Sequence, residues 1–347
     1  MRFYLKTFGC QMNVSDSNWL EKALQERAWE PVSSPEKADA ILINTCSVRE
    51  KPEKKVYSHL GRLKSLLEKN PHTIVGVGGC VAQQVGRKFW EKFPFVRLVF
   101  GPDGIAFVPE SLQRLSTDPQ LRISLLEFQD YYPEGEQVYK GKNSPLQAFV
   151  TIMEGCDNFC AYCIVPYTRG RQRSRLSSKV LEECETLVQG GTQEITLLGQ
   201  NVNSYGQDDC GDGVSFAQLL GKVCAIPGLQ RLRFTTSHPK DIAPEVIESF
   251  GRLSNLCPQL HLPLQAGSNR ILKRMGRKYT REDYLQIVRK LREARPNIVL
   301  GTDVMVGFPG ETREDFEQTL DMLRQVRFDN CFSFKYSDRP GTRAEKF

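Results

Sequence analysis

Apolar and polar positions in the first hundred residues follow two alternating patterns. Short apolar runs, which are typical of buried parallel strands, occur at Arg2–Phe8, Ala38–Thr45, Thr73–Gly78 and Val96–Phe100. Amphipathic stretches with the spacing of helices lie between them, at Asn18–Trp29, Glu53–Lys69 and Gln83–Phe93. This alternation predicts an N-terminal α/β domain with a parallel sheet, in which ligands bind beyond the carboxyl ends of the strands.

The periodic pattern fades between Ser116 and Ser144, where Asp, Pro, Gly, Tyr and Glu become frequent. We therefore predict a first domain over residues 1–118, a linker over 119–141 and a second domain over 142–347. Apolar runs in the second domain predict strands at Leu146–Met153, Glu194–Leu198, Arg231–Thr236, Gln259–Leu264, Ile298–Val306 and Cys331–Tyr336. Amphipathic stretches predict helices at Lys179–Gln189, Phe216–Ala225, Pro244–Leu253, Arg281–Arg292 and Arg313–Gln325. These βα units are fewer than the eight of a closed barrel, so we expect a partial (β/α)6 barrel.

Three of the eleven cysteines directly follow the first predicted strand of the second domain. Cys156, Cys160 and Cys163 have the spacing C-x3-C-x2-C. Three such thiolates can bind three irons of a 4Fe-4S cubane and leave the fourth iron open. Zinc is disfavoured because it takes four ligands at paired spacings, and three cysteines cannot all pair as disulfides among themselves.

Another three cysteines follow three successive strands of the first domain. Cys10, Cys46 and Cys80 are each about one βα repeat apart, so parallel strands would bring them to one edge of the sheet. Each of them alone could be a small buried apolar residue, but their equivalent positions favour a second three-cysteine cluster. We interpret the remaining cysteines as structural: Cys184, Cys210, Cys224, Cys257 and Cys331.

The overall charge is mildly basic, with a formal net charge of +6, and permits a nucleic-acid partner without requiring one. No apolar run approaches the roughly 20 residues that would span a bilayer, and the first residues form a predicted strand rather than a leader. We therefore expect a cytoplasmic protein without a membrane partner.

Four arginines recur at every second position shortly after Cys163. If this segment is extended, Arg169, Arg171, Arg173 and Arg175 would all point to one side, where they could bind RNA phosphates and bases. The alternative is a solvated charged face. The amides of Gln200 and Asn201 follow the next strand, where they could recognise a base edge or hold a turn.

The motif of Cys156, Cys160, Tyr162 and Cys163 resembles the signature of the radical S-adenosylmethionine (SAM) enzymes. The resemblance implies that the open iron chelates SAM, and that an electron from the cluster cleaves SAM to a 5′-deoxyadenosyl radical. It also implies contacts with SAM from Tyr162 and from three glycines and one carboxylate, namely Gly190, Gly191, Gly307 and Glu194. Glu194 stands two residues later than the glutamate of the superfamily's Gly-Gly-Glu motif.

The two cysteine sets together resemble the methylthiotransferases, which join an auxiliary 4Fe-4S cluster to a radical SAM barrel. The motifs Gly9–Asn13, Pro166–Arg171 and Gly199–Asn203 are similar to those of the MiaB branch. The resemblance implies two 4Fe-4S clusters, SAM, and transfer of a methylthio group to carbon 2 of isopentenyl-adenosine beside the tRNA anticodon. It further implies the anticodon stem-loop as partner, an external electron donor such as flavodoxin or ferredoxin, and a monomer. No protein side chain need be a nucleophile.

Other functions stay open at this point. Related methylthiotransferases modify threonylcarbamoyl-adenosine in tRNA or an aspartate of a ribosomal protein, and an iron-sulfur electron carrier or scaffold would also need the cysteines. The family usually adds a small C-terminal RNA-binding β domain. We expect that domain to be absent, since the last predicted barrel strand lies just before Phe347.

Overall fold

The computed structural model describes residues 1–47, 50–132 and 144–347, with no side-chain description for residues 50–54. The chain forms two compact units. The first runs from Met1 into the 133–143 stretch and also includes Tyr167–Gly170, and the second contains the rest. Residues 133–141 of the predicted linker and the predicted domain start at 142 lie outside the described residues.

The first unit contains a six-stranded sheet in which all the described pairs are parallel. Its strands are β1 (Arg2–Phe8), β2 (Glu30–Pro31), β3 (Ala40–Thr45), β4 (Ile74–Gly79), β5 (Val96–Phe100) and β6 (Ile123–Leu125), in the spatial order β2-β1-β3-β4-β5-β6. Its helices are α1 (Gln11–Gln25), α2 (Glu50–Lys69), α3 (Cys80–Val85), α4 (Lys88–Lys92) and α5 (Val108–Thr117). The predicted parallel α/β sheet is confirmed.

Helices cover this sheet on both faces, as the continuous apolar strands require. Every residue of β3 and β4 is buried. Val56 and Leu60 of α2 pack with Ile41 in one apolar cluster, whereas Leu20 of α1 packs with Leu42 in another. Because both faces of the central strands are buried, the carboxyl ends of these strands are held in place along one edge of the sheet.

Three boundaries in this unit differ from the prediction for local reasons. The helix predicted at Asn18 begins at Gln11, because Cys10 is its N-cap and shares a capping box with Asn13. The helix predicted over Gln83–Phe93 is two helices, which part at Gly86 with its left-handed φ of 61°. Strand β6 lies within the stretch predicted as a linker, so the first unit extends beyond residue 118.

The chain from residue 144 onward, apart from Tyr167–Gly170, supplies the barrel. Its strands are β7 (Gln147–Thr151), β8 (Met153–Glu154), β9 (Arg173–Ser174), β10 (Glu194–Leu198), β11 (Arg231–Phe234), β12 (Gln259–His261), β13 (Val299–Val306) and β14 (Asn330–Lys335). Its helices are α6 (Val165–Thr168), α7 (Ser177–Gln189), α8 (Phe216–Cys224), α9 (Pro244–Arg252), α10 (Asn269–Met275), α11 (Arg281–Ala294) and α12 (Arg313–Val326).

Six of these strands form two parallel sheets, in the orders β11-β10-β7 and β12-β13-β14. A parallel bridge between Leu232 and Leu256 continues the first sheet toward β12. The prediction of six barrel strands is thus confirmed, and β8 with β9 adds a short antiparallel pair. The prediction missed α10, a single short helix without a clear apolar repeat.

The helix starts at Thr280 and Thr312 agree with the sequence. Each threonine hydroxyl accepts a bond from the backbone N–H of the aspartate three residues on, and that carboxylate accepts the threonine's own N–H. Among the described residues, no helix is both long and apolar enough to cross a bilayer.

Candidate functional site

The first unit brings Cys10, Cys46 and Cys80 to the carboxyl edge of three adjacent strands. The register pairs Phe8 with Thr45 and Thr45 with Gly79, so each cysteine lies one or two residues beyond the paired ends. The predicted convergence of these three cysteines is therefore seen in the fold of this unit. Cys46 and Cys80 are buried, whereas Cys10 is exposed.

Two helix N-termini support the negative charge that thiolates would bring to this edge. Cys10 is the N-cap of α1, and Cys80 is the first residue of α3. Backbone N–H groups at such ends carry partial positive charge and stabilise a thiolate. A hydrogen bond with Cys46, assisted by the Arg169 guanidinium, lowers the pKa of the Cys10 thiol to about 5 against the effect of burial. Burial raises the pKa of the Cys80 thiol, and Arg169 opposes that rise.

A buried amide network lies beneath these cysteines. Asn13 Nδ2 donates to the side-chain oxygen of Asn44 and to the carbonyl of Thr45, both at 3.2 Å. Asn44 Nδ2 in turn donates to the carbonyl of Asn13 at 3.0 Å. A Cβ added at Gly79, where φ is 85°, would lie 2.4 Å from both Asn44 Oδ1 and the Thr45 carbonyl. Only glycine fits that position, because any side chain would collide with Asn44 and Thr45.

In the second unit, Cys156, Cys160 and Cys163 lie on the loop that follows β7 and β8. Distant parts of the barrel hold this loop in place. The N–H of Gly155 donates to Gln200 Oε1 at 2.5 Å, and the N–H of Ala161 donates to the carbonyl of Met275 at 2.8 Å. The carbonyl of Ala161 accepts the N–H of Ala344, also at 2.8 Å.

Asp241 ties the same loop to the end of the next strand. Its Oδ2 accepts a hydrogen bond from Asn158 Nδ2 at 2.8 Å and from Asn201 Nδ2 at 2.7 Å. Asn201 is buried, so its amide supports the cysteine loop rather than forming a surface. Gln200 contributes to the same support through its bond to Gly155.

Cys160 is the most closely surrounded of the three cysteines. Arg277 Nη1 lies 3.5 Å from its sulfur, and His238 Nε2 lies 3.9 Å from it. The hydroxyl of Tyr162, the aromatic residue of the motif, is 3.5 Å from Arg277 Nη1. Sequence reasoning missed Arg277 and His238, because a single arginine or histidine outside a motif carries no pattern.

The protein alone does not favour thiolates at this loop. Burial raises the pKa of Cys156 to about 11 and that of Cys163 to about 12, with a further rise from neighbouring cysteines. Metal ions overturn this preference, because a coordinating thiol is deprotonated outright. Cationic iron is therefore the kind of group that these three thiols on one loop can hold, of which Cys160 is buried and the other two are partly buried.

Each unit offers three cysteines, the number of protein ligands that a 4Fe-4S cluster with one open iron takes. Among the described residues, no group of three or more His, Cys, Asp or Glu side chains converges to hold a single ion. A cubane differs because each thiolate binds a different iron, so the sulfurs stand apart around the cluster.

Buried polar atoms without partners mark where a polar cofactor fits in the second unit. Within the described part of the chain, Gln200 Nε2, Asn201 Oδ1, Asn203 Nδ2 and Ser237 Oγ have no hydrogen-bond partner. All four follow the carboxyl ends of β10 and β11, as the cysteine loop follows β7. Such orphaned groups are costly unless a ligand or water satisfies them, and the amino, carboxylate and ribose groups of SAM are suitable partners.

Comparison with known proteins identifies the family. Residues 150–323 match the Radical SAM superfamily, and residues 2–101 match the Uncharacterized protein family UPF0004. A Nitratidesulfovibrio vulgaris protein named tRNA-2-methylthio-N(6)-dimethylallyladenosine synthase is 61% identical over 99% of this chain and 76% of its own length. A protein of that name from Lawsonia intracellularis is 52% identical over 99% of this chain and 78% of its own length. Another, from Geobacter sulfurreducens, is 47% identical over 98% of this chain and 76% of its own length. The chain belongs to the radical SAM methylthiotransferases.

Solved structures place the methylthiotransferase chain in the radical SAM fold. The radical SAM methyltransferase TsrM from Kitasatospora setae has a TM-score of 0.70 at 15% identity, over 99% of this chain and 75% of that one. The cobalamin-dependent radical enzyme OxsB has a TM-score of 0.66 at 14% identity, over 99% of this chain and 54% of that one. At such identities the likeness establishes the fold alone. Membership of the family brings 4Fe-4S clusters and SAM as the cofactors of the methylthiotransferase.

The expected row of four exposed arginines is wrong for three of its members. In the methylthiotransferase, Arg169, Arg173 and Arg175 are buried, and only Arg171 is exposed. Arg169 forms an ion pair with Asp16 at 2.7 Å, and Arg175 donates to the carbonyl of Thr151 and to Glu183, both at 2.7 Å. The prediction assumed an extended segment, but Arg169 directly follows the helix Val165–Thr168, Gly170 has a left-handed φ of 76°, and strand structure begins only at Arg173.

The predicted SAM contact of Gly190, Gly191 and Glu194 is wrong in its placement. Glu194 is the first residue of β10 and pairs with Gln147 and Arg231, the first residues of the adjacent strands. These residues therefore lie at the amino ends of the barrel strands, opposite the cysteine loop. Gly307 differs, since it directly follows β13 and lies at the carboxyl end as predicted.

Glu194 is expected to stabilise the methylthiotransferase without acting on SAM. Its carboxylate binds Arg231 at 2.6 Å and Arg233 at 3.2 Å, and these contacts lower its pKa. Glu194→Gln should therefore reduce the free energy of unfolding at pH 7 by about 1 kcal/mol or less, since both arginines are partly exposed. The loss should vanish as the pH falls from about 4.3 through the lowered pKa, because the parent carboxylate is then protonated as well. Denaturant titrations at several pH values would measure it.

SAM binding provides the control for this variant. Glu194→Gln should bind SAM like the parent protein, whereas Gln200→Ala, at the carboxyl end of the same strand, should bind it more weakly. Loss of SAM binding in Glu194→Gln with unchanged stability would contradict the placement.

Iron content tests the two cysteine sets. The anaerobically reconstituted parent should hold about eight irons, as two four-iron clusters. Alanine at Cys156, Cys160 and Cys163 together, or at Cys10, Cys46 and Cys80 together, should each leave about half. Cys331→Ala, at an exposed cysteine outside both sets, should retain the full content. A full complement of iron in either triple variant would contradict that set as a ligand set.

Proposed function

We propose that this enzyme transfers a methylthio group to carbon 2 of N6-dimethylallyladenosine, 3′ of the anticodon in tRNA. The observation that carries the proposal is the presence of two separate three-cysteine sites in one chain, one in each unit. An enzyme that only generates a radical needs one such site. The relatives that match nearly the whole chain carry the name of this activity.

The chain's own residues hold and orient the cofactors. When bound, the two clusters and SAM supply the radical chemistry at an unactivated carbon and the sulfur that is transferred. Cys156, Cys160 and Cys163 hold the cluster that faces SAM, and the hydrogen bond from Gly155 to Gln200 fixes the start of their loop. The orphaned polar atoms beyond β10 and β11 bind the polar groups of SAM.

The three thiols of the first unit have a different task. Cys10, Cys46 and Cys80 hold the auxiliary cluster at the sheet edge, where the N-termini of α1 and α3 offset its negative charge. The amide network of Asn13 and Asn44 keeps the cysteine-bearing strand ends in register. No side chain of this site needs to act as an acid, a base or a nucleophile.

The partners follow from this chemistry. The target base must leave its stack in the anticodon stem-loop to reach a buried site. Each cleavage of SAM consumes one electron, which an external donor such as flavodoxin or ferredoxin provides. We infer a cytoplasmic monomer, to which Arg171 offers an exposed cation beside the cysteine loop.

A direct assay distinguishes this function from its alternatives. The reconstituted enzyme is incubated with SAM, a reductant and one of three substrates: an anticodon stem-loop with dimethylallyladenosine, one with threonylcarbamoyl-adenosine, or the ribosomal-protein loop. Nucleoside and peptide mass spectrometry should find the methylthio product only with the first. SAM cleavage without any methylthio product would instead favour a different radical reaction, and no SAM cleavage would favour an electron carrier.

The auxiliary cysteines separate radical generation from sulfur transfer. The triple alanine variant of Cys10, Cys46 and Cys80 should still cleave SAM to 5′-deoxyadenosine but should form no methylthio product. The triple variant of Cys156, Cys160 and Cys163 should do neither. Normal product from the first variant would show that these three thiols are structural.

Arg171 is expected to contact a tRNA phosphate. Its side chain is 73% exposed, although the guanidinium also donates to the Asp157 carboxylate at 2.7 and 3.0 Å. Arg171→Gln should weaken tRNA binding and lower the slope of log affinity against log salt by about 0.7–0.9 if one phosphate contact is lost. Binding measured over a range of salt concentrations would give both values.

The salt slope also separates charge from structure. If Arg171 only steadies the loop through Asp157, the variant should impair SAM cleavage and leave the slope unchanged. Arg252→Gln is the control, because it removes the same charge from the exposed last residue of α9, where the chain turns back toward the amino ends of the strands. This variant should change neither the tRNA affinity nor its salt slope. An unaltered affinity and slope in Arg171→Gln would exclude this side chain from tRNA binding.

A further inference from the structure

A buried arginine contacts the central cysteine of the loop in the second unit. Helix α10 ends at Met275, and Gly276 turns the chain with a left-handed φ of 72°. Arg277, the next residue, is only 4% exposed. Its Nη1 lies within hydrogen-bond distance of Cys160 Sγ, at 3.5 Å.

Neutral groups anchor the rest of this guanidinium. Nε donates to the hydroxyl of Tyr279 at 3.1 Å, and Nη2 donates to the carbonyl of Pro263, also at 3.1 Å. The backbone N–H of Arg277 donates to the carbonyl of Leu272 at 2.9 Å. Because a guanidinium presents its donors in a fixed plane, these bonds leave Nη1 directed at Cys160 Sγ and at the hydroxyl of Tyr162, each at 3.5 Å.

The positive charge of Arg277 has no carboxylate partner in the described parts of the chain. The groups that interact with it electrostatically are Tyr162, Tyr279 and Cys160. Burying an unpaired charge is costly, so buried arginines normally have an anionic partner. Arg169 in the first unit follows that rule through Asp16. The anion suited to Arg277 is a cluster bound through Cys160.

A neutral donor faces the same sulfur from another strand end. His238 Nδ1 accepts the backbone N–H of Lys240 at 3.2 Å, which leaves the ring proton on Nε2. Nε2 is the atom 3.9 Å from Cys160 Sγ. Two donors therefore converge on one thiolate, and only Arg277 brings a full charge.

We propose that Arg277 is a positioning residue that raises the reduction potential of the cluster held by Cys156, Cys160 and Cys163. Reduction adds one electron to this cluster, and a fixed cation beside a ligand sulfur stabilises the reduced form more than the oxidised one. Arg277 thereby determines how readily an external donor can start the reaction. The inference rests on the cluster site proposed above, which iron content tests independently of the potential.

The test uses the full chain with alanine at Cys10, Cys46 and Cys80, so that a single cluster gives the signal. Arg277→Gln, Arg277→Lys and the control Arg281→Gln are made in this background. Arg281 is a nearby arginine whose charge is paired with Asp321 at 2.5 Å. Iron content is measured first, and the midpoint potential is then obtained by redox titration followed by electron paramagnetic resonance.

Arg277→Gln is expected to retain iron and to shift the midpoint to more negative values. Arg277→Lys should shift it less, because the charge is kept while the planar hydrogen bond is lost. Arg281→Gln should match the background. An unchanged midpoint in Arg277→Gln at full iron content would overturn the proposal. Loss of iron in both Arg277 variants, with iron retained in Arg281→Gln, would overturn it as well, in favour of a purely structural role.

Discussion

Parallel strands end at the same edge of a sheet, and this constraint determines which residues of the protein become neighbours. In the first unit, the register of β1, β3 and β4 places three cysteines side by side although long stretches of chain separate them. In the second unit, β7, β10 and β11 end together, so the cysteine loop, the amides after β10 and the segment that leads to His238 meet.

The same constraint determines how much the sequence could predict. The cysteine loop is a local pattern, and Cys10, Cys46 and Cys80 follow strands that their apolar runs indicate. Both sets could therefore be located without coordinates. Most of the strands were predicted to within a few residues, because a short continuous apolar run between amphipathic stretches is typical of a strand buried on both faces. The short strands β2, β6 and β9 were missed.

What could not be predicted depends on tertiary burial. Nothing local distinguishes Arg171, which is exposed, from Arg169, which is buried against Asp16. The pair of glycines before Glu194 resembles a known motif, but its place at the amino end of β10 follows only from the sheet register. Arg277 follows a short helix with no clear apolar repeat, and its importance arises from what it faces rather than from its neighbours in sequence.

The two cysteine sites manage negative charge by different means. In the first unit, helix N-termini and a carboxylate-paired arginine surround the thiols, so much of the compensation is built into the folded chain. In the second unit, burial raises the pKa of the Cys156 and Cys163 thiols, and a lone buried arginine lacks an anion among the described residues. The polypeptide itself is thus better prepared for iron at the first site than at the second.

The support of the second cysteine loop has a consequence for how the protein is made. Ala161 is held by Met275 and by Ala344, which a ribosome adds long after the cysteines themselves. Chains fold from the N-terminus as they emerge, so the sheet that carries Cys10, Cys46 and Cys80 is complete while the barrel is still being synthesised. The direction of translation therefore orders the maturation of the two sites. A nascent chain halted before residue 275 would carry three adjacent thiols on a loop that lacks both backbone bonds of Ala161, open to oxidation before any iron arrives.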